Sequence, residues 1–449
     1  MSAESAAHAE RCARLLASLR EDGSQRPLGL AKKTSNLFRD RSEAPKRRLD
    51  LSDFHHVVEA NPAQGWVDVE GSTTYEELVD ATLSHRVMPA VVPQLKTITV
   101  GGAAAGVGIE ATSFREGLVH HTMLELEVLL ATGEIVVCTP DNEHRDLFYG
   151  FPNSYGTLGY ALRLRLRTRP VGPYVRVHHV WHRDSGRFFD DLARRCRDGT
   201  ADFLDGVVFD PETLVLNAAT FVDQAPWLSD YGFEKIYYRS LLDSEVDYLR
   251  VKDYLWRWDT DWFWCSKNVG AQHMWVRRLL GRSRLNSRTY TRLMRWNARW
   301  GVTRYWARLR GLHPESVIQD VDIPLPRAQE FLNFLLRDIG ILPIWICPLR
   351  EAGPDAFALY PVASQTLYIN FGFWDVVQSS VTNAPDHFNR LVEREVMRLG
   401  GIKSLYSHSC FTREEFASAY GMRHYEVLKA RYDPQHRLLG LYEKCVLHG

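Results

Sequence analysis

The chain has 449 residues, 45% of them hydrophobic and 24% charged, with 55 basic and 55 acidic side chains. A formal net charge of zero excludes a general polyanion binder, so nucleic acid is not an expected partner. Seven scattered cysteines without a C-x-x-C pair argue against a disulfide framework and against a structural zinc site, and no metal is expected.

The N-terminus reads as an amphipathic helix, not a secretory signal. No apolar run reaches the roughly eighteen residues that span a bilayer, so a cytoplasmic protein that still touches a membrane is expected. From about residue 27 to 175 the pattern is strand-rich. Trp66 to Glu70 reads as a short strand. Thr73-x-x-Glu76 and Thr74-x-x-Glu77 are overlapping capping boxes that open a helix through about Ser84. Leu124, Leu126, Val128 and Leu130 alternate with Glu125 and Glu127. Ala131-Thr132-Gly133 then turns the chain into Ile135 and Val137, which predicts a hairpin with one buried face. Leu162, Leu164 and Leu166 alternate with Arg163, Arg165 and Arg167 in a half-buried strand.

After Pro170-Val171-Gly172-Pro173 the composition shifts. The chain from about 176 to 400 is aromatic-rich, and eight of its thirteen tryptophans lie between Trp256 and Trp306. Short helices are expected around Arg413 to Tyr420 and Tyr425 to Arg431.

The most informative segment runs from Thr99 to Glu110. Gly101, Gly102, Gly106 and Gly108 let backbone amides approach a diphosphate or a flat ring without a Cβ in the way. A Rossmann reading of Gly106-x-Gly108-x-x-Ala111 fails on context, because no helix-forming run follows and no acidic residue closes a second strand. Taken alone, a tightly packed glycine turn is an equal alternative. A second loop, Ser154-Tyr-Gly-Thr-Leu-Gly, offers similar chemistry: small residues, hydroxyls and two glycines.

The runs TVGGAAAGVGIEATSF, LELEVLLATGEIVVCTP and DLFYGFPNSYGTLGYALRLRLR resemble the flavin domain of the vanillyl-alcohol-oxidase family, and in particular the 24-dehydrocholesterol reductases. KKTSNLFR, VVPQLKTIT, DYLWRWDTDWFWCS, LYINFGFW and SLYSHSCFTREEF are similar to the actinobacterial reductases of 10-methyl-branched fatty acid synthesis, which work beside a methyltransferase.

The resemblance implies an α+β, two-lobed protein with a PCMH-type FAD-binding domain and an α+β substrate (cap) domain. Its parts would be an N-terminal helix (1–26), the FAD domain (27–175), the substrate domain (176–400) and a C-terminal segment (401–449) returning to the flavin. It places the pyrophosphate loop on Lys33, Thr34, Ser35 and Asn36, where the family's double glycine is absent. Gly71 falls at the adenine side. Thr99, Gly101, Gly102, Gly106, Gly108, Ile109 and Glu110 fall along pyrophosphate and ring, and Gly156, Thr157 and Gly159 in the second loop. No histidine lies in the pyrophosphate loop, which implies non-covalent FAD. NADPH as a transient reductant, a lipid acyl substrate and a methyltransferase partner are implied by the resemblance alone.

An isolated alkene cannot accept hydride unless a proton arrives too, so the site needs an acid kept neutral by burial among apolar or aromatic walls. Asp261, with Asp259, sits in such surroundings within Trp256-Arg-Trp-Asp-Thr-Asp-Trp-Phe-Trp, and is the expected donor. Pairing with Arg257, or capping a helix, is the alternative. Glu110 is an acid or a ribityl ligand. Tyr406 and His408 sit where relatives place groups near the flavin N1/C2 edge, and Asn370 is expected to face the ring. The pairs His55-His56, His120-His121 and His178-His179 read as structural, since neighbouring side chains on a strand point to opposite sides.

Between Met274 and Arg310 stand eleven arginines, no lysine and no acidic residue. On a helix Arg288, Arg292, Arg295 and Arg299 form one stripe, with Leu293, Trp296 and Trp300 beside it. Such a segment (274–310) suits an anionic membrane surface; a solvated basic face paired with acids elsewhere in the fold, or a nucleic-acid patch, is the alternative.

Overall fold

The computed structural model describes residues 3–22, 27–32, 38, 46–301, 305, 307, 309–351 and 357–447. Two sheets organise it. The first is built on the predicted alternating segments. Its strands run β3 (Val57–Asn61), β4 (Trp66–Glu70), β8 (Tyr160–Pro170), β6 (Met123–Leu129) and β7 (Ile135–Cys138), with β5 (Val87–Pro89) on the far end of β8. A separate parallel pair joins β1 (Leu28–Leu30) to β2 (Arg47–Leu49).

Helix α2 (Tyr75–Leu83) starts at Thr74, whose side chain forms the full box with Glu77. Thr73 is instead buried and does not cap. The buried face of this sheet carries Val67, Val69, Leu126, Val128, Leu164 and Leu166. Its other face is charged: Arg165 pairs with Asp68 at 2.7 Å and Arg163 with Glu125 at 2.6 Å. Helix α1 (Ala3–Asp22) covers part of that face. His8 Nδ1 lies 2.6 Å from Glu70 Oε1 and its Nε2 2.8 Å from Glu127 Oε1. Burial opposes charge on His8, but hydrogen bonds to Cys12, Glu127 and Glu70 outweigh it and push its pKa up to about 11.

The chain changes sheet between Pro170 and Tyr174, at the predicted proline–glycine break. The second sheet has eight strands: β12 (Val246–Arg250), β9 (Tyr174–His182), β11 (Thr213–Val222), β10 (Phe203–Asp210), β14 (Ile344–Arg350), β15 (Leu367–Ser379), β13 (His313–Pro324) and β16 (Ile402–Lys403). All its pairings are antiparallel. The segment from 401 therefore lends a strand to this sheet before its helices, Arg413–Ala419 and Met422–Tyr432, pack elsewhere.

With a side-chain period of two, the sheet has one apolar and one mixed face. Phe188, Leu204, Val321, Ile346, Phe371 and Val392 form a core between the sheet and the helices Ser185–Asp198, Leu325–Phe334 and His387–Arg398. The opposite face carries Asn217, Asp205, Cys347, Asn370 and Asp322, and it meets the stretch after the first glycine run. Cys347 Sγ lies 3.2 Å from Glu110 O, and Leu204 N donates to Ala111 O at 2.8 Å. The site lies where this mixed face meets the first sheet's loops.

Candidate active site

Thr99 caps a six-residue helix, α3 (Val100–Ala105), its hydroxyl accepting from Gly102 N at 3.3 Å. Gly101 and Gly102 therefore lie in a helix, although a glycine pair argues against one. The cap and packing against the Gly71 turn and β8 prevail.

The glycines divide by what a side chain would meet. A Cβ on Gly101 would lie 2.8 Å from Gly71 O, and one on Gly71 would strike the Ala161 carbonyl, so these two let α3 sit on the turn after β4. Gly108 packs on Val119 and Gly159 on Val128. Gly156 has φ 72°, which favours glycine. Gly102 and Gly106 differ. A Cβ on Gly102 would meet Thr99 Oγ1 (2.8 Å) and Lys32 Nζ (3.2 Å), and one on Gly106 would meet Gly102 O (3.1 Å) and the Tyr155 ring (3.4 Å), of which Lys32 and Tyr155 can move. Ile109 is half-buried against the core.

The two glycine loops are joined directly. Asn153 N donates to Gly106 O at 3.3 Å and Tyr155 N to Ala105 O at 2.8 Å. Thr157 is buried, and its carbonyl accepts from Lys429 Nζ at 2.8 Å, which ties the loop to the C-terminal helices. Lys33, Thr34, Ser35 and Asn36 lie outside the described residues, but both flanks are anchored at the site. Lys32 Nζ donates to Thr99 Oγ1 at 2.9 Å, and Phe38 N to Tyr406 O at 2.9 Å. Ser154 Oγ and Asn153 Oδ1, buried beside this junction, have no hydrogen-bond partner among the described residues. Buried polar atoms of this kind call for a partner. Together with the Gly102–Gly106 cradle, they fit a cofactor rich in hydrogen-bonding groups.

The acids sort sharply. Glu110 Oε1 accepts from Arg257 Nη2 at 3.3 Å, and Arg257 also donates to Asp205 Oδ2 at 2.8 Å while stacking on Tyr254 at 4.0 Å. Burial pushes the Glu110 carboxyl up to about 7 despite Arg257. This buried trio is structural in form.

Asp261 does not meet the requirement of a free neutral acid. Its Oδ1 is 2.5 Å from Arg277 Nη1 and also accepts from Ser266 at 3.2 Å. Burial raises its pKa, but the buried guanidinium opposes that and uses the carboxylate as its counter-ion. The expectation of Asp261 as donor is corrected on that ground. Asp259 accepts from Lys96 N at 3.1 Å and from Ser287 Oγ and N, at the start of the helix Ser287–Trp300. It serves as a cap there. Neither pairs with Arg257.

Tyr406 is at the site, and it reveals an acid that the sequence reading missed. Its hydroxyl donates to Asp320 Oδ2 at 2.6 Å and accepts from Trp374 Nε1 at 2.9 Å. Asp320 is followed on the same face of β13 by Asp322, which is satisfied by Tyr360 OH at 2.6 Å and Asn370 Nδ2 at 2.7 Å. Asn370 thus binds Asp322, and its own Oδ1 has no hydrogen-bond partner among the described residues. Burial first, then the neighbouring Asp322, raises the Asp320 carboxyl to about 7; burial raises Asp322 to about 6. The available signal was two aspartates alternating with Val321 and Ile323, carboxylates on the inner face of a buried strand. His408 is not brought to this group: its Nε2 lies 3.2 Å from Asp386 Oδ1.

The histidine pairs find separate partners. His56 contacts Glu70, His179 contacts Asn217, and His120 and His121 stack at 4.4 Å beside Phe357. Among the described residues, two other groups place ligand atoms close enough to share an ion, His8–Cys12–Glu127 and Asp386–His408–Cys410.

Comparison with known proteins agrees with this geometry. Residues 7–139 match the family of FAD binding domains. The chain is 27% identical to a Delta(24)-sterol reductase of Arabidopsis thaliana over 69% of its own length and 57% of that protein. It is 25% identical to the human Delta(24)-sterol reductase over 86% and 75%. A cytokinin dehydrogenase 7 of rice is 30% identical over 150 residues, 32% of this chain and 28% of that protein. The chain thus carries an FAD-binding domain in an α+β fold. More particularly, it is similar to the Delta(24)-sterol reductases, its match spanning little more than half of the plant protein.

Proposed function

We propose that this enzyme reduces an isolated carbon–carbon double bond in a lipid, using non-covalently held FAD reduced by a transiently bound NADPH. The substrate favoured here is a 10-methylene acyl chain in a phospholipid, reduced to a 10-methyl branch and supplied by a partner methyltransferase. In this reading residues 27–175 hold the flavin and 176–400 cover the substrate. One observation carries it: the Gly102–Gly106–Tyr155 cradle meets a sheet face that combines indoles with carboxyl groups.

FAD, when bound, supplies hydride chemistry at its ring. Lys32 and the backbone of Gly102, Gly106 and Ser154 would hold it. Phe263, Trp264, Trp345 and Trp374 would line the substrate side, with Phe263 and Trp374 at 4.5 Å and Trp264 and Trp374 at 5.6 Å. Such a wall excludes water and tolerates the positive charge that builds as an alkene is protonated.

Lipid access is supported by the surface. Among the described residues no helix is long and apolar enough to cross a membrane. Yet Trp275 is 80% and Leu279 83% exposed on the helix Met274–Leu280, and Trp296 and Trp300 are exposed on the next helix. Some arginines there serve the fold: Arg277 pairs with Asp261, Arg288 with Glu76 and Arg282 with Asp230. Arg292 and Arg295 are exposed, and the Arg299 side chain lies outside the described residues. The exposed indoles and remaining cations form a surface suited to peripheral attachment to the inner, anionic face of a membrane.

The test is anaerobic. NADPH should bleach the flavin of the purified protein, and a 10-methylene phospholipid should restore its colour. Recovery with a Δ24 sterol instead would shift the reading to a sterol reductase. Recovery only on admitting air would mark an oxidase and overturn it.

A further inference from the structure

We propose that Asp320, oriented by Tyr406, delivers the proton that accompanies hydride transfer to the alkene; this rests on the reading of the chain as a double-bond reductase. The argument begins with strand register. In the β13–β15 pair, Asp320 lies opposite Gly372 and Asp322 opposite Asn370, so both carboxyls share one face. That face also bears Trp374 on β15, two residues on from Gly372. The other face is the helix-covered apolar core.

The two aspartates are then treated differently by their surroundings. Asp322 accepts from Tyr360 and Asn370, one on each oxygen. Asp320 accepts on Oδ2 from Tyr406, while among the described residues its Oδ1 has no hydrogen-bond partner. Neither has an arginine or lysine within ion-pair distance among the described residues, so the charge of Asp322, the Tyr406 hydroxyl and the Trp374 indole N–H are the polar surroundings of Asp320, the last two favouring its carboxylate. An uncompensated buried carboxyl takes up a proton and stays neutral into the physiological range. That oxygen is buried, and Gly372 keeps the space beside it free of a side chain. A Cβ there would stand 2.8 Å from Asp320 Oδ1 and 2.5 Å from the Trp374 ring. Asp320, Tyr406 and Trp374 each keep partial exposure inside the fold, so they border open space and not solid core.

That space adjoins the cofactor cradle. Phe38, at the end of the segment resembling the pyrophosphate loop, hydrogen-bonds to Tyr406 O and stacks edge-on to its ring at 5.7 Å. On the far side Tyr155 rests against Gly106, and the two tyrosines are close enough to influence each other's charge.

The step balances as follows. The alkene π pair takes the proton from Asp320 Oδ1 at the terminal carbon and forms one C–H bond. FAD, when bound and reduced, would supply the hydride for the second C–H bond, at the more substituted carbon. Asp320 is left as a carboxylate, stabilised by the Tyr406 hydroxyl, and is reprotonated from solvent. The electrons come from the nicotinamide reductant named above.

Asp320→Asn should bind FAD and be bleached by NADPH as the parent is, while flavin recovery with the alkene slows by roughly a hundredfold or more. A second readout needs no turnover. Infrared difference spectra of the oxidised protein should show the C=O stretch of a protonated carboxyl that disappears with a midpoint near the pH of about 7 given above, and is absent in Asp320→Asn. Tyr406→Phe removes a hydrogen bond that favours the carboxylate, so that midpoint should rise. If no alkene restores the colour of the parent, the reaction itself is wrong and the donor falls with it. If the parent turns over and Asp320→Asn turns over equally, or keeps the band, Asp320 alone is overturned.

Discussion

Two aspartate pairs, Asp259/Asp261 and Asp320/Asp322, lie among aromatic rings in this molecule, and their fates diverge. In the first pair each carboxylate already has a structural task. Asp261 neutralises Arg277, and Asp259 caps the helix that begins at Ser287. In the second, Asp322 is satisfied by neutral donors and Asp320 keeps an oxygen free. An aromatic neighbourhood therefore does not make an acid. What decides is whether a cation or a helix end has claimed the carboxylate.

The largest expected contrast is in stability. Asp261→Asn leaves the Arg277 guanidinium buried and unpaired, and should cost about 3–5 kcal/mol in chemical denaturation. Asp320→Asn removes an uncompensated buried carboxyl and should change stability by less than about 1 kcal/mol at neutral pH, or increase it. Equal losses would erase the distinction between the pairs.

The glycines offer a second contrast. Gly71→Val and Gly101→Val force backbone atoms apart and should destabilise by about 1–3 kcal/mol or more. Gly102→Val meets the movable ends of Lys32 and Thr99, so it should yield folded protein that purifies with little FAD. Acid precipitation of the parent should release free FAD into solution; flavin retained in the pellet would refute non-covalent attachment.

A smaller effect follows from pH. Glu110, Asp320 and Asp322 are raised, chiefly by burial, to about 7, 7 and 6. A raised folded pKa means that the fold holds protons the unfolded chain releases, so the contribution of these three groups to stability is full below about pH 4 and declines as pH rises towards 7. The thermal midpoint should follow that slope, less steeply in Asp320→Asn. A midpoint independent of pH across that window would argue that these carboxyls are ionised.

The smallest effect on the fold belongs to the surface. Trp296→Ser with Trp300→Ser should leave stability within about 0.5 kcal/mol. Sedimentation with phosphatidylglycerol vesicles should nevertheless fall several-fold, and the parent's binding should weaken as salt rises. Unchanged sedimentation would reassign the segment to a protein-facing surface.

How much of this was readable in the sequence follows the range of the interactions. The β6–β7 hairpin, the arginine-alternating strand β8 and the Thr74 cap are local patterns and all three formed, although in the hairpin Leu124 and Val137 are exposed while Val136 and Cys138 are buried. Helix α3 was missed because its glycines argue locally for a turn, whereas its support comes from Thr99 and the distant Gly71. The cover of α1 over the charged face of the first sheet depends on His8 reaching Glu127, far away in sequence. Asp320 escaped notice for a related reason. Its importance comes from β15 and Tyr406, while the conspicuous Trp-Asp-Thr-Asp-Trp motif drew attention to carboxylates already used by Arg277 and Ser287. His408 looked comparable to Tyr406, but Asp386 takes it.

The central claim is that a neutral Asp320, not Asp261, meets the alkene. Its most direct test is the rate of flavin recovery, after anaerobic reduction, when lipid alkene is mixed in at pH values from about 5 to 9. The account predicts a rate that is constant at low pH and falls above the pH of about 7 at which the Asp320 carboxyl ionises. The same profile should survive in Asp261→Asn protein that remains folded and vanish in Asp320→Asn. A parent rate that is flat throughout, or a profile lost in Asp261→Asn and kept in Asp320→Asn, would contradict it.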